Sequence, residues 1–249
     1  MKSSLVFILL FTIIGDFTYT SFKEQQLRYP RVRQAYADKE VSVKKLLNEK
    51  SLKSEKLSIY IRAFKEEQKI ELWGKNESQE IYKLIKEYEV CQTSGVLGPK
   101  RKEGDRQIPE GYYHINIFNP SSNFYLSLGV NYPNKSDRIL GVENKLGGDI
   151  FIHGSCVTIG CLPITDDQIK ELYIFCVEAK NSGQTTIPVT IFPKRLTLGN
   201  YQSLVTQYKS ERDKLNLWED LKLGYDYFQE NKKLPHIQFL SNGRHRISG

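Results

Sequence analysis

"FIHGSCVTIGCLPITDD", residues 151–167, decides how this chain is read. It holds one of the four histidines and two of the four cysteines, with Gly154 after the histidine and Gly160 before the second cysteine. Three chemistries compete for it. A zinc site would draw on His153, Cys156 and Cys161, but the stretch has no C-x-x-C or H-x-x-x-H pair, and structural zinc takes four ligands at tighter spacing. A disulfide can join Cys156 to Cys161 across a small loop if their Cα atoms come within about 7 Å. The third is a thiol nucleophile. Cys161 lies ahead of a helix that opens at Thr165, and a helix N-terminus with an imidazole in reach favours a thiolate at neutral pH. His153 ends the apolar strand DIFIH, which would hold the ring beside the thiol. Glycines at 154 and 160 let backbone groups approach a substrate closely, including N–H groups that could hold an oxyanion.

Downstream, TDDQIKELYIFCVEAKNSG reads as a helix. Thr165 caps it, Gln168 is placed to complete a capping box, and Gly183 ends it. Ile169, Leu172, Tyr173 and Cys176 share one face, so Cys176 reads as a buried thiol. IPVTIFP is a closing strand, residues 200–232 are mostly helical by pattern, and HIQFL is a last short strand. Upstream, LSIYIRAFK and KIELWG form a hairpin, EIYKLIKEYEV is a third strand, and YYHINIF and FYLSLGV are strands joined by the turn NPSSN. Two long loops precede the opening stretch, SGVLGPKRKEGDRQIPEGYY and NYPNKSDRILGVENKLGG. Loops of that length usually carry function, so they are expected to border a substrate cleft. Residues 23–50 have roughly helical apolar spacing, and SLKSEK joins them to the strands.

The chain has 249 residues and a formal charge of +7. Its hydrophobic content of 39% suits a folded globular protein. Lys2 followed by an apolar run from Leu5 to Ile14 has the form of a secretory signal and is too short to span a bilayer. An exported chain with no stable membrane span after signal removal is therefore expected. Export argues against nucleic acid as the anionic partner, and PKRK at 99–102 is only a small basic patch. The strand IRAFK alternates Ile59, Ile61 and Ala63 against Tyr60, Arg62 and Phe64. Arg62 is a candidate for gripping a substrate carboxylate, with a solvated strand face as the plainer reading. Asn131, Tyr132 and Asn134 could line the cleft, or could serve only as turn residues. His114, mid-strand, reads as structural.

IHGSCVTIGC resembles the active-site signature of the YkuD-type L,D-transpeptidases, in which a strand-end IHG is followed by a [ST]-x-G-C turn. Thr158, Gly160 and Cys161 match that turn. Ile159 stands where the wider family usually has histidine, a departure shared by the YafK-like branch, whose IHG and GC elements are also closer together. SIYIRAFKEEQKIELW, CQTSGVLGPKRKEGDRQIPEGYYHI, FNPSSNFYLSLGVNYPN and PVTIFP resemble that branch in the same order, over roughly residues 28–195. The resemblance implies a β-rich α+β fold: a YkuD-type catalytic domain with mixed β-sheets around one main helix and helical N- and C-terminal extensions. The corresponding organisation is a signal at 1–20, a helical segment at 21–55, the catalytic domain at 56–195 and a mainly helical extension at 196–249.

For the site, the resemblance implies Cys161 as nucleophile and His153 as general base. The Gly154 carbonyl would orient the ring, and the N–H groups of Gly160 and Cys161 would hold the oxyanion. No metal or organic cofactor is implied. The implied partners are peptidoglycan stem peptides. The thiolate would attack the carbonyl on the L-centre of a diamino acid, release D-alanine, and pass the acyl group to an amine. Hydrolysis by the same thioester, giving a carboxypeptidase or amidase, is the alternative within enzymes. A non-catalytic wall-binding module with Cys156 and Cys161 bridged is the alternative outside them.

Overall fold

The computed structural model describes residues 20–249, so the expected signal segment, save Thr20, lies outside the described residues. The core element is an eight-stranded sheet in the order β3-β2-β1-β8-β4-β5-β6-β7. Its strands are β1 (Leu57–Phe64), β2 (Lys69–Asn76), β3 (Lys83–Glu89), β4 (Gly111–Asn119), β5 (Ser127–Val130), β6 (Phe151–His153), β7 (Leu162–Pro163) and β8 (Ile187–Phe192). The β1/β8 and β6/β7 pairs are parallel and the other pairs are antiparallel. β1–β2 is the expected hairpin, and EIYKLIKEYEV does supply the third strand.

Alternation along β1 explains the two layers. Ile59, Ile61 and Ala63 belong to the main core, with Ile169, Leu172, Phe175 and Cys176 of α4 (Asp166–Asn181). Helices α1 (Phe22–Leu27) and α2 (Pro30–Glu49) cover the far side of α4, where Tyr36 donates to Glu178 at 2.7 Å and Tyr173 to Gln26 at 2.7 Å. Helix α4 is thus enclosed on both sides, and Cys176 is the buried thiol that its helical position predicts. Thr165 caps it through the Gln168 N–H at 3.3 Å. The Gln168 side chain donates to Thr165 Oγ1 rather than closing a capping box onto the backbone.

The other face of β1 is not solvated. Phe64 and Phe192 pack against Leu204 of α5 (Leu198–Gln207) and against Leu217, Trp218, Leu221 and Tyr225 of α6 (Arg212–Asn231). Tyr60 and Trp73 meet Phe228. The C-terminal segment therefore roofs half of the sheet. It ends in a hairpin of β9 (His236–Phe239) and β10 (His245–Ser248), of which only β9 was legible as a strand. The second long loop also holds a short helix, α3 (Lys135–Leu140). Asn134 and Asp137 close a capping box at its start, so part of the expected loop is helical.

The first long loop is fastened by buried charge. Lys65 Nζ donates to the carbonyls of Val96, Gly98 and Ile108 at 2.9–3.0 Å and pairs with Glu110 at 2.8 Å. Glu110 also accepts from Gly98 N–H at 2.7 Å and from Trp218 Nε1 at 2.6 Å. Burial drives the Lys65 ammonium down from its usual value, and Glu110 opposes that shift. One ion pair thus ties the first loop, the end of β1 and α6 together, which fixes a wall of the cleft described next.

Candidate active site

His153 is the last residue of β6, and Cys161 immediately precedes β7. The strands run parallel with Ile152 opposite Leu162 and His153 opposite Pro163, and Ile164 N–H donates to His153 C=O at 2.8 Å. Ile152 and Leu162 point into the core. Side chains alternate, so His153 and, one residue before β7, Cys161 project from the opposite side, with Cys161 level with Phe151. The pairing brings together two residues eight apart in sequence, on neighbouring strands and on one face.

The imidazole is held in one tautomer. Nδ1 lies 2.5 Å from the Gly154 carbonyl oxygen, to which it donates, leaving Nε2 as the acceptor. The ring is buried and lies 4.6 Å from the Phe124 ring. Burial lowers its pKa from the ordinary histidine value, partly offset by the Gly154 carbonyl, which favours the neutral ring. Only glycine fits at 154, because an added Cβ would stand 2.5 Å from Asp166 Oδ1 and 2.8 Å from Phe124 C=O. Asp166 accepts Ser155 N–H at 2.8 Å and so pins the turn after the histidine to the first turn of α4. Asp166 was missed in the sequence, where it read only as an acidic residue at a helix start.

The N-terminus of α4 thus serves the histidine turn, not the thiol, and Cys161 gains no thiolate from it. Burial pushes the Cys161 thiol above its ordinary value. Asp149 adds to the rise, while the Phe151 backbone and Lys100 pull against it. Burial thus works against the expected neutral-pH thiolate. In this structure Sγ donates to the Asp149 carbonyl at 3.4 Å rather than to His153.

The turn before the nucleophile is organised by Thr158. Its Oγ1 accepts from Gly160 N–H at 3.1 Å and Cys161 N–H at 2.8 Å, and donates to Cys161 C=O at 2.9 Å. The two N–H groups expected to form an oxyanion hole are therefore occupied by a side chain. Gly160 has φ +144°, a conformation open chiefly to glycine, and an added Cβ there would stand 3.2 Å from the Gln107 carbonyl oxygen.

The cysteines pair differently from the expected Cys156–Cys161 bridge. Cys156 bonds to Cys91, with Cα atoms 5.6 Å apart, and Cys161 is free. The reason is tertiary. Cys91, just past β3, donates its N–H to Pro163 C=O at 3.0 Å, which places it against β7 and beside the turn that carries Cys156. The premise of a bridged, non-catalytic Cys161 fails with that pairing.

Cys161 opens into a cleft of about 460 Å³, bordered by Lys100, Glu103 and Arg106 from the first long loop and Gly147, Gly148 and Asp149 from the second. Both loops border it as expected. Ile159, at the position where the wider family carries histidine, is exposed on its rim. Tyr132 supports the cleft from behind, donating to the carbonyls of Lys100 and Leu146 at 3.4 and 3.3 Å. Asn134 caps α3, and Asn131 accepts His114 N–H at 2.7 Å. Arg62 is elsewhere. It is fully buried on the α6 side of the sheet, its guanidinium 4.8–5.3 Å from the rings of Phe64, Phe192, Tyr225 and Phe228 and 3.6 Å from Glu71. Neither the substrate-carboxylate reading nor the solvated-face reading survives, because α6 covers that face. Among the described residues, no cluster of three or more metal-ligating side chains occurs.

A buried imidazole engaged at Nδ1 and a free thiol thus stand on neighbouring strands, beside two cleft-forming loops. The chain belongs to the YkuD family, the L,D-transpeptidase catalytic domain, which residues 58–191 match. It is 38% identical over 192 residues to the "Putative L,D-transpeptidase YafK" of Escherichia coli (strain K12), covering 76% of this chain and 74% of that one. Among solved structures it is similar to the helical cell shape determining protein Pgp2 of Campylobacter jejuni, at 18% identity and TM-score 0.45 over 74% of this chain and 73% of that one. It is also similar to Bd1075 of Bdellovibrio bacteriovorus, at 21% identity and TM-score 0.39 over 72% and 75%. The β-rich fold with helical extensions follows from the family match and the architecture above, not from these distant likenesses.

Proposed function

We propose that this chain is an exported cysteine acyl-transferase that acts on peptidoglycan stem peptides through a thioester on Cys161. The observation that carries the reading is the juxtaposition of His153 and Cys161 on one face of the β6/β7 pair, with Nδ1 engaged by Gly154. Rotation about the Cys161 Cα–Cβ bond exchanges the Asp149 carbonyl for His153 Nε2. Nε2 then takes the thiol proton as sulfur attacks the peptide carbonyl, and imidazolium returns that proton to the departing D-alanine amine. An acceptor amine attacks the thioester next. It gives its proton to His153, the new amide forms, and the thiol is regenerated. Oxyanion contact with Gly160 and Cys161 N–H requires the Thr158 hydroxyl to swing away first, so the donors are assembled on substrate binding rather than preset.

Of the two cations on the cleft border, Lys100 is paired with Asp105 at 2.6 Å, which leaves Arg106 to meet a substrate carboxylate. Incubating purified muropeptides with the protein and with Cys161→Ala, then weighing the products, tests the reading. Loss of D-alanine with formation of cross-linked dimers, absent with Cys161→Ala, is expected. Products that gain only water identify hydrolysis, and turnover by Cys161→Ala overturns the thiol mechanism.

A further inference from the structure

A second cavity, of about 400 Å³, lies on the opposite side of the sheet from the α4 core, and none of its lining residues also lines the thiol cleft. It forms where the roof of C-terminal elements meets β4, β8 and α3. Its size is in the range of small-molecule sites. Its walls differ in character. The β9 side contributes an apolar lip of Leu234, Ile237 and Phe239. The floor is aromatic and rigid. Tyr60 donates to Thr190 at 2.8 Å, and Tyr112 donates to Asp220 C=O at 3.0 Å, its hydroxyl seated in the notch left by Gly224.

The α3 side carries Lys135 and Arg138, one turn apart and both exposed. Asp137 between them is turned inward to Arg101 and Tyr113, and Lys135 meets only the Phe239 carbonyl, at 3.2 Å. Both cations are left without a carboxylate partner among the described residues, and no aspartate or glutamate lines the cavity. The His114 imidazole and the Asn131 amide also face it; Asn131 uses its oxygen on His114 N–H, which leaves its NH₂ for a ligand.

Aromatic faces, two free amide or imidazole groups and a pair of unmatched cations suit a ring with polar substituents and an attached carboxylate. We propose that this cavity is a second binding site, for a sugar ring carrying a carboxylate-bearing peptide. The peptidoglycan origin of that ligand rests on the function proposed above; the anion-and-ring chemistry rests on the cavity alone. Such a site would hold a segment of the wall on the far side of the sheet while another occupies the thiol cleft.

The test uses the full chain carrying Cys161→Ala, so that nothing is turned over, with N-acetylmuramyl-L-alanyl-D-glutamate as probe and the His114 ring resonances as reporter. Saturable shifts at His114 are expected. Lys135→Gln/Arg138→Gln should weaken binding at least about tenfold, Arg138→Lys should restore most of it, and Arg106→Gln in the other cleft should not change it. Matched melting temperatures show that the exposed substitutions leave the fold intact. The diamide of the probe binding equally well removes the anion site, and L-alanyl-D-glutamate binding equally well removes the sugar. Absence of any His114 shift up to roughly 10 mM probe overturns the site. Because the readout is binding, these outcomes are independent of whether Cys161 turns over muropeptides.

Discussion

Thr158 Oγ1 grips both ends of Cys161, accepting its N–H at 2.8 Å and donating to its carbonyl at 2.9 Å. That clamp, with the further bond from Gly160 N–H, sets the backbone on which Cys161 stands. Net contributions near 1 kcal/mol per hydrogen bond predict that Thr158→Val destabilises by about 1–3 kcal/mol. It should also slow turnover at least about tenfold by misplacing the thiol, whereas Thr158→Ser should retain both properties. A Thr158→Val protein with full activity would show that the clamp has no part in catalysis.

The titrations of the pair fix its pH behaviour. Burial raises the Cys161 thiol above the ordinary cysteine value and lowers the His153 imidazole below the ordinary histidine value. With His153 as the base, activity should rise as the imidazole loses its proton on the acid side of the ordinary histidine range, then hold through neutrality. Alkylation of Cys161 by iodoacetamide should keep climbing with pH beyond the ordinary cysteine range. A plateau already reached near pH 7 would mean a thiolate–imidazolium pair instead.

His153→Gln keeps a polar side chain but cannot shuttle the proton. The expected loss is about 10²- to 10⁴-fold in rate, with little change in melting temperature. If His153→Gln loses stability in proportion to rate, the ring is merely a packing element beneath Phe124.

Arg62 is buried with all three guanidinium nitrogens lacking a hydrogen bond. Its partner Glu71 is also held by Arg195 and accepts from Trp73 Nε1 at 2.8 Å. Removing the arginine therefore does not strand the carboxylate, and replacing a buried ion with an apolar side chain of similar volume is often neutral or stabilising. Arg62→Met should leave activity unchanged and stability within about 1 kcal/mol of the parent or above it. A raised KM for muropeptides in Arg62→Met would restore the substrate-binding role that its burial denies.

The Cys91–Cys156 bridge spans a sequence separation of 65 and staples the end of β3 to the turn after His153. In the chain-entropy picture such a loop is worth about 4 kcal/mol. Cys91→Ser and Cys156→Ser should lower the melting temperature equally, and reduction of the parent should match them. Cys161 is outside the bridge, so no reductant should be needed to label it. Labelling that requires reductant would mean that Cys161 is itself oxidised.

The sequence by itself determined what is local. Strand alternation in IYIRAF, the helix opening at Thr165, and the IHG and T-x-G-C elements that carry His153 and Cys161 depend on periods of a few residues and on residue chemistry. The two long loops as cleft borders were also legible, because their length and glycine content left little else for them to be. Tertiary structure decided what depends on distant neighbours. Arg62 looked available because alternation says which face a side chain takes but not what covers that face, and here α6, some 160 residues on, buries it. Cys156 was nearest Cys161 in sequence, yet the Cys91–Pro163 contact brought another partner to it. The thiol is pushed up because burial acts on it while the helix terminus serves Ser155 instead. Periodicity is written within a few residues of chain, whereas burial, disulfide choice and pKa are set by whatever the fold packs alongside.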